Sequence, residues 1–227
     1  MHPVYVHIKK ELSPFYAEEE ASAMAKWISS DILHLSTLEL YTGKDMNFST
    51  KEWEELEDIL RRLKQREPLQ YILQEASFCG RSFHVEQGVL IPRPETEELV
   101  EWIVSDYREA GQVRILDIGT GSGCIPVSLA QLLPEAQVSS CDVSAEALRI
   151  AAMNIKRYGD KVTLFCADIL KEELPECQVD VLVSNPPYIT ESERTDMEAN
   201  VLDWEPELAL FVPDSDPLRF YRRIAWK

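Results

Sequence analysis

Basic charge is what this chain has least of, with 23 lysines and arginines against 40 aspartates and glutamates and a formal net charge of −17. A duplex carries one negative charge per about 1.7 Å, and a protein that binds it needs a basic face to release counterions. No such stretch is visible. Histidine is also sparse, and His2, His7, His34 and His84 are scattered without ligand spacing, so neither a metal site nor a histidine base is expected. The five cysteines form an odd set without a Cys-x-x-Cys pair. Cys124, Cys141 and Cys166 fall in or beside apolar stretches, which predicts reduced core thiols rather than disulfides or zinc ligands. There is no run of about 18 apolar residues to span a membrane, and Met1 to Lys10 lacks the apolar run of a secretory signal. A cytoplasmic protein is expected. Internal repeats and low-complexity segments are absent.

What remains is ample for a core: 227 residues, 45% of them hydrophobic, suggest one to two domains. Helical patterns come first and alternating strands and helices later. Ser13-Pro14 predicts the start of a helix running to about Leu33. Ser49-Thr50-Lys51-Glu52 is a capping box, followed by Trp53, Leu56, Ile59, Leu60 and Leu63 on one face. Acidic clusters, Glu18 to Glu20 and Glu52 to Asp58, read as solvated helix faces. Ser77 to Val85 reads as a hairpin centred on Gly80, and Pro94 starts a helix with Glu95, Glu97 and Glu98 in its first turns. The expected organisation is a helical domain over 1–73, a hairpin linker over 74–90 and an α/β domain over 91–227.

The α/β part opens with a buried strand, Val113 to Asp117, that runs into Gly119-Thr120-Gly121-Ser122-Gly123 and a helix from about Ile125. Such a turn lets a ligand approach the backbone, and the helix N-terminus offers N–H groups to a carboxylate or phosphate. The dinucleotide fingerprint needs glycine where Cys124 stands, and Walker-type phosphate binding needs a lysine after Gly123, so both are disfavoured. Asp142 ends the next strand, Gln137 to Cys141, roughly twenty residues past the glycines. Its carboxylate could accept both hydroxyls of a ribose, or serve the helix from Ala145 to Tyr158 that Ser144 caps. Asp168, after the strand Val162 to Cys166, could receive an adenine amino group or cap Ile169-Leu170.

Asn185-Pro186-Pro187-Tyr188 follows the apolar run Val179 to Val183. A nitrogen with a delocalised lone pair needs two acceptors for its hydrogens, and the Asn185 carbonyl and a bare backbone carbonyl can supply both. Pro187 has no N–H to satisfy Pro186 locally, and paired prolines fix the loop before substrate arrives. Tyr188 offers an aromatic face. The alternative is a breaker after a buried strand.

Together, Asp117-Ile118-Gly119-Thr120-Gly121-Ser122-Gly123, Asp142 and Asn185-Pro186-Pro187-Tyr188 resemble class I S-adenosylmethionine-dependent methyltransferases acting on nitrogen. Ile91-Pro92-Arg93-Pro94-Glu95-Thr96-Glu97, Tyr188-Ile189 and Glu205-Pro206-Glu207-Leu208-Ala209-Leu210 resemble the HemK/PrmC group within that class. The resemblance implies a Rossmann-like α/β sheet behind a small helical bundle that recognises the protein substrate. It implies methylation of a glutamine side-chain amide in the Gly-Gly-Gln loop of peptide chain release factors, tuning translation termination. S-adenosylmethionine would be the donor and S-adenosylhomocysteine the product. Asp117, Gly119, Thr120, Gly121, Ser122, Gly123, Asp142, Asp168, Ile169 and Asn185 would hold the donor, with Asn185, Pro186, Pro187 and Tyr188 at the reaction. Arg93 and Glu95 either border the donor pocket or cap and pair at the surface. A ribosomal-protein glutamine methyltransferase, a DNA adenine-N6 methyltransferase and a non-catalytic donor-binding module are the alternatives. A monomer that binds neither membrane nor DNA is expected. Members of the resembled family continue through strands beyond the helix that Leu218 to Lys227 opens, so a truncated form is expected, with Val179 to Ser184 at an uncovered sheet edge.

Overall fold

The computed structural model describes residues 1–43, 48–172 and 178–225. Cys177 lies outside the described residues. The chain divides into two compact units, Met1–Ile72 and Leu73–Lys227.

The first unit is helical. Helix α1 (Pro3–Leu12) begins with proline at its first position and His2 as N-cap, the His2 Nδ1 accepting from Val4 N at 3.2 Å. Val4, Ile8 and Leu12 recur every four residues and are buried together with Ala21, Met24 and Ala25 of α2 (Glu18–Trp27). The helix expected from Ser13 to about Leu33 begins only at Glu18, and Ser13 instead sits at the end of the helix before it. Its hydroxyl donates to the Lys9 carbonyl at 2.7 Å, so this serine caps a C-terminus rather than an N-terminus. A π-helical turn (Ile28–Ile32) extends α2, and α3 (Thr37–Thr42) has its own capping box, Ser36 with Glu39. Helix α4 (Thr50–Lys64) carries the Ser49–Glu52 capping box and buries Leu56, Ile59, Leu60 and Leu63. Trp53 departs from expectation: it is 40% exposed, edge-on to His7 and Phe48. Helix α5 is Leu69–Leu73.

The second unit opens with the hairpin β1 (Ala76–Phe78) and β2 (Arg81–Phe83), turning at Cys79 and Gly80, both at positive φ. After α6 (Pro94–Tyr107) come β3 (Arg114–Ile118), α7 (Cys124–Leu132), β4 (Gln137–Asp142), α8 (Ala145–Arg157), β5 (Val162–Cys166) and β6 (Val181–Ser184). The four strands form a parallel sheet in the order β5-β4-β3-β6. Ile115 and Val183 join residues of α6, α7 and α8 in one core, whereas Leu116, Ile118 and Cys141 join Ala167 and Ile169 in another. Buried on both faces, β3 reads as a continuous apolar run, as parallel strands do. Cys124 and Cys141 are buried and their thiols pushed up to about 12 by burial, whereas Cys166 is exposed at the end of β5.

Among the described residues β6 has no strand beyond it in the sheet. Val179 and Leu182, together with Phe220 and Ile224 of α11 (Arg219–Ala225), pack against the core formed by Leu116, Ile118, Cys141, Ala167 and Ile169. Between β6 and α11 in the chain lie β7 (Ile189–Thr190), which pairs in parallel with β8 (Phe211–Val212), and the short helices α9 (Ala199–Trp204) and α10 (Glu207–Leu210). Helix α8 and the residue after it also bind the backbone of the hairpin and of His84 just beyond it through Tyr158 and Asn154. Tyr158 donates its hydroxyl to the Ser82 carbonyl at 2.6 Å and accepts from Ser82 N at 3.1 Å. Asn154 accepts from His84 N at 2.8 Å and donates to the His84 and Ser122 carbonyls at 2.9 and 2.8 Å. Asn154 is fully buried, so truncating it would strand backbone groups at about 1–3 kcal/mol each.

Candidate active site

The chain passes from β3 outward to β4 and β5, then returns to β6 on the other side of β3. That reversal opens a crevice at the carboxyl ends of the strands, where open α/β sheets bind ligands. Last register pairs Ile118↔Cys141, Ile118↔Ser184 and Asp142↔Cys166 bring the loop after β3, Asp142, the segment after β5 and Asn185 to this one end.

The glycine loop is fastened from beneath. Gly119 N and Thr120 N donate to the Cys141 carbonyl at 2.9 and 3.1 Å, and Gly123 N donates to the Thr120 carbonyl at 2.8 Å. Gly121 stands at φ 53° with open space where a Cβ would point, so a ligand can lie against the backbone there. Gly123 is needed for a different reason: at φ 81°, a Cβ would meet the Ala151 backbone at 3.3 Å and push α8 away. Thr120 and Ser122 are buried, and α7 begins at Cys124 without a side-chain cap, leaving its first N–H groups for a carboxylate.

Asp117 sits behind this loop, wholly buried. Burial raises its carboxyl to about 7, against the opposing effect of the Ser140 hydroxyl, which donates to Oδ2 at 2.6 Å. Its Oδ1 has no hydrogen-bond partner among the described residues. Its hydrogen bond is with β4, through Ser140, and it offers no exposed surface.

Asp142 serves the start of α8, as one of its two expected roles requires, and the glycine loop as well. Its Oδ2 accepts from Gly121 N at 3.0 Å and its Oδ1 from Ser144 N at 2.9 Å, so one carboxylate ties the glycine loop to the start of α8. A carboxylate has about four acceptor positions, so capacity remains for a vicinal diol. Asp168 is held below the ordinary carboxylate range, first by Lys171, whose Nζ lies 2.9 Å from Oδ2, and its Oδ1 accepts from Leu170 N at 3.0 Å. Ile169 beside it is buried, and its carbonyl accepts from Arg223 Nε at 2.8 Å.

Asn185 follows β6 directly and donates from Nδ2 to Thr96 Oγ1 at 3.3 Å. Neither the Asn185 Oδ1 nor the Pro186 carbonyl accepts a hydrogen bond among the described residues. Pro186 is buried, Pro187 half-buried and Tyr188 57% exposed. The site thus presents two bare acceptors and an aromatic face beside an open glycine loop. Arg93 does not line it as a free cation: its Nη2 donates to Glu205 Oε1 at 2.6 Å, while Glu205 Oε2 accepts from Ile91 N at 3.1 Å. This buried carboxylate joins the segment before α6 to the turn before α10. Two residues escaped the sequence reading as neighbours of the site, Thr96 and Tyr221. Tyr221 is near enough to Tyr188 to have its hydroxyl raised by it, after burial. A cleft beside Cys79, Glu101 and Arg108 shares none of these residues.

Known proteins resemble this chain in sequence across both of its units. The family described as Methyltransferase small domain matches residues 96–203, and the PrmC N-terminal domain matches residues 5–73. A Release factor glutamine methyltransferase from Bacteroides thetaiotaomicron is 51% identical over 99% of this chain and 81% of its own length. One from Flavobacterium psychrophilum is 41% identical over 94% of this chain and 76% of its own. The hMettl16 catalytic domain, solved with a 3'UTR hairpin, is 16% identical with a TM-score of 0.51 over 80% of this chain and 64% of that one, a likeness of fold alone. The α/β unit therefore has the class I methyltransferase fold.

Proposed function

The chain belongs to the family of release factor glutamine methyltransferases, and from that premise we propose that it methylates the side-chain amide nitrogen of a glutamine in peptide chain release factors. The observation that carries the reading is the pair of bare acceptors, Asn185 Oδ1 and the Pro186 carbonyl, standing at the end of β6 directly beside the glycine loop of β3. Two acceptors fix the plane of an NH2 group and leave its face exposed. S-adenosylmethionine, when bound, supplies an electrophilic methyl group. Gly119, Gly121 and the N-terminus of α7 receive its amino-acid part, Asp142 its ribose, and Ile169 with Asp168 its adenine. Thr120 and Ser122 fill the loop from within, and Asp117 and Gly123 hold it in place.

The residues at the reaction act by position. Asn185 and Pro186 take the two amide hydrogens, aim the nitrogen, and favour the positive charge that builds on it during transfer. Tyr188 covers the planar amide or attracts the neighbouring cation through its ring. The proton departs to water after transfer, so no histidine or carboxylate base is needed. The helical unit recognises the protein substrate, and a substrate of the translation machinery places the monomeric enzyme in the cytoplasm. The acidic balance of −17 suits a partner that must itself bind RNA and disfavours DNA as substrate.

Incubation with labelled S-adenosylmethionine and a release factor, a ribosomal protein or DNA, followed by mass spectrometry, tests the reading. Label on a release-factor glutamine is expected. Label on adenine alone overturns it.

A further inference from the structure

Arg223 directs one edge of its guanidinium at backbone. Its Nε donates to the Ile169 carbonyl at 2.8 Å, and Nη2, on the same edge, donates to the Glu172 carbonyl at 3.0 Å. Resting on the proposed function, we propose that Arg223 is a positioning residue for the adenine end of the donor, acting through the Asp168 carboxylate. Neighbouring side chains seat the helix that carries it. Phe220 and Ile224 of α11 pack against the core that contains Ile169, so the guanidinium reaches the segment after β5 from a fixed support.

The Ile169 carbonyl and the Leu170 N–H belong to one planar peptide unit. Arg223 holds that unit at its oxygen, and Asp168 Oδ1 holds it at its nitrogen, at 3.0 Å. Half a turn of the unit would aim the N–H at a guanidinium, which has donors and no acceptor. Arg223 therefore allows one orientation only. In that orientation the Leu170 N–H anchors the Asp168 carboxylate against a second pull, that of Lys171, whose Nζ lies 2.9 Å from Oδ2. The rest of the turn closes on the same residue, with Lys171 N and Glu172 N donating to the Asp168 carbonyl at 3.0 and 2.8 Å. A lysine at 223 could reach one carbonyl as a point charge, but only the planar fork of arginine holds two at a set separation. An anchored carboxylate accepts from an amino group and repels a carbonyl. Arg223 thus sets how strongly the site prefers adenine to a base with oxygen in place of the amino group.

S-adenosylhomocysteine and S-inosylhomocysteine differ at that one group, and calorimetric titration of both into wild type, Arg223→Met and Arg223→Lys measures the preference. Wild type should favour the adenosyl compound. Arg223→Met keeps the apolar stem without the donors, and should lower the preference by about tenfold through weaker adenosyl binding, the worth of one hydrogen bond to a charged group. Arg223→Lys should fall between the two, and decides alone should Arg223→Met fail to fold. In Asp168→Asn, adding Arg223→Met should lower the preference little further, because both changes act through one contact. An unchanged preference in the Arg223 variants overturns the proposal. Equal weakening of both compounds overturns it as well, since it would mark Arg223 as merely structural. Should wild type bind the adenosyl compound yet label no release-factor glutamine, the reading of function falls while the preference still decides on Arg223. A wild type that binds neither compound overturns both.

Discussion

Replacing Asp142 by Asn exposes the double duty of its carboxylate. The two oxygens accept from Gly121 N at 3.0 Å and Ser144 N at 2.9 Å. An amide has one oxygen and one NH2, so in either orientation one backbone N–H meets a donor instead of an acceptor. Losing a hydrogen bond to a charged acceptor costs about 1.5–3 kcal/mol, and Asp142 is only half-buried, so water softens the loss toward the lower end. For a protein of this size, 1 kcal/mol corresponds to roughly 2–4 °C of melting temperature, giving an expected fall of about 3–6 °C without any ligand. Donor affinity should fall as well, because a loop released at Gly121 no longer presents its backbone to the donor. A residue that served only the ribose, or only α8, would lose one property and keep the other. Calorimetric melting of the free protein, alongside titration with S-adenosylmethionine, separates these cases. An Asp142→Asn protein that melts like wild type and binds the donor weakly would show that the two backbone contacts carry no load, and would refute the reasoning.

Asn185→Ala is expected to lower kcat by roughly 10²–10³, as for loss of one preorganised transition-state contact, with little change in donor binding; single-turnover kinetics and calorimetry check this. Asp117 gives a pH dependence with a definite sign. Burial raises it from 3.8 to about 7, so its contribution to stability is full below about pH 4 and is lost as pH rises through 7. Asp117→Asn should therefore gain in melting temperature relative to wild type between pH 5 and pH 8, and a constant difference would contradict the burial argument. Glu205→Ala removes the acceptor of Ile91 N and the partner of Arg93, and should cost about 1–3 kcal/mol in denaturant unfolding.

The local signals in the sequence were strong where one strand, one turn and one side chain made the site. The glycine loop, Asp142 and Asn185 each end a parallel strand, and an apolar run followed by a turn residue locates such an end closely. Helix α1 was invisible because its N-cap is a histidine, while Ser13-Pro14 imitates a start that it does not make. Trp53 fits the period of the buried stripe of α4 yet lies at its rim, since a 3.6-residue repeat places a face but does not say how far the covering layer extends. The two functions of Asp142 and the pairing of Asn185 with Thr96 depend on which strands become neighbours. Residues 89 positions apart leave no local mark of their contact.

The union of α8 with the hairpin amounts to a helix impersonating a β-strand. Ser82 and His84, two residues apart on the outer edge of the hairpin, point N–H and C=O outward, and Tyr158 and Asn154, four residues apart, meet them. One turn-spaced step on a helix advances about 6.0 Å and two residues of a strand about 6.8 Å, close enough for side chains of unequal length to absorb the difference. The edge is thereby saturated, with no room for an incoming strand from another molecule. Two side chains thus close the edge against strand addition, and their four bonds index the helix lengthwise against the ribbon, as teeth would.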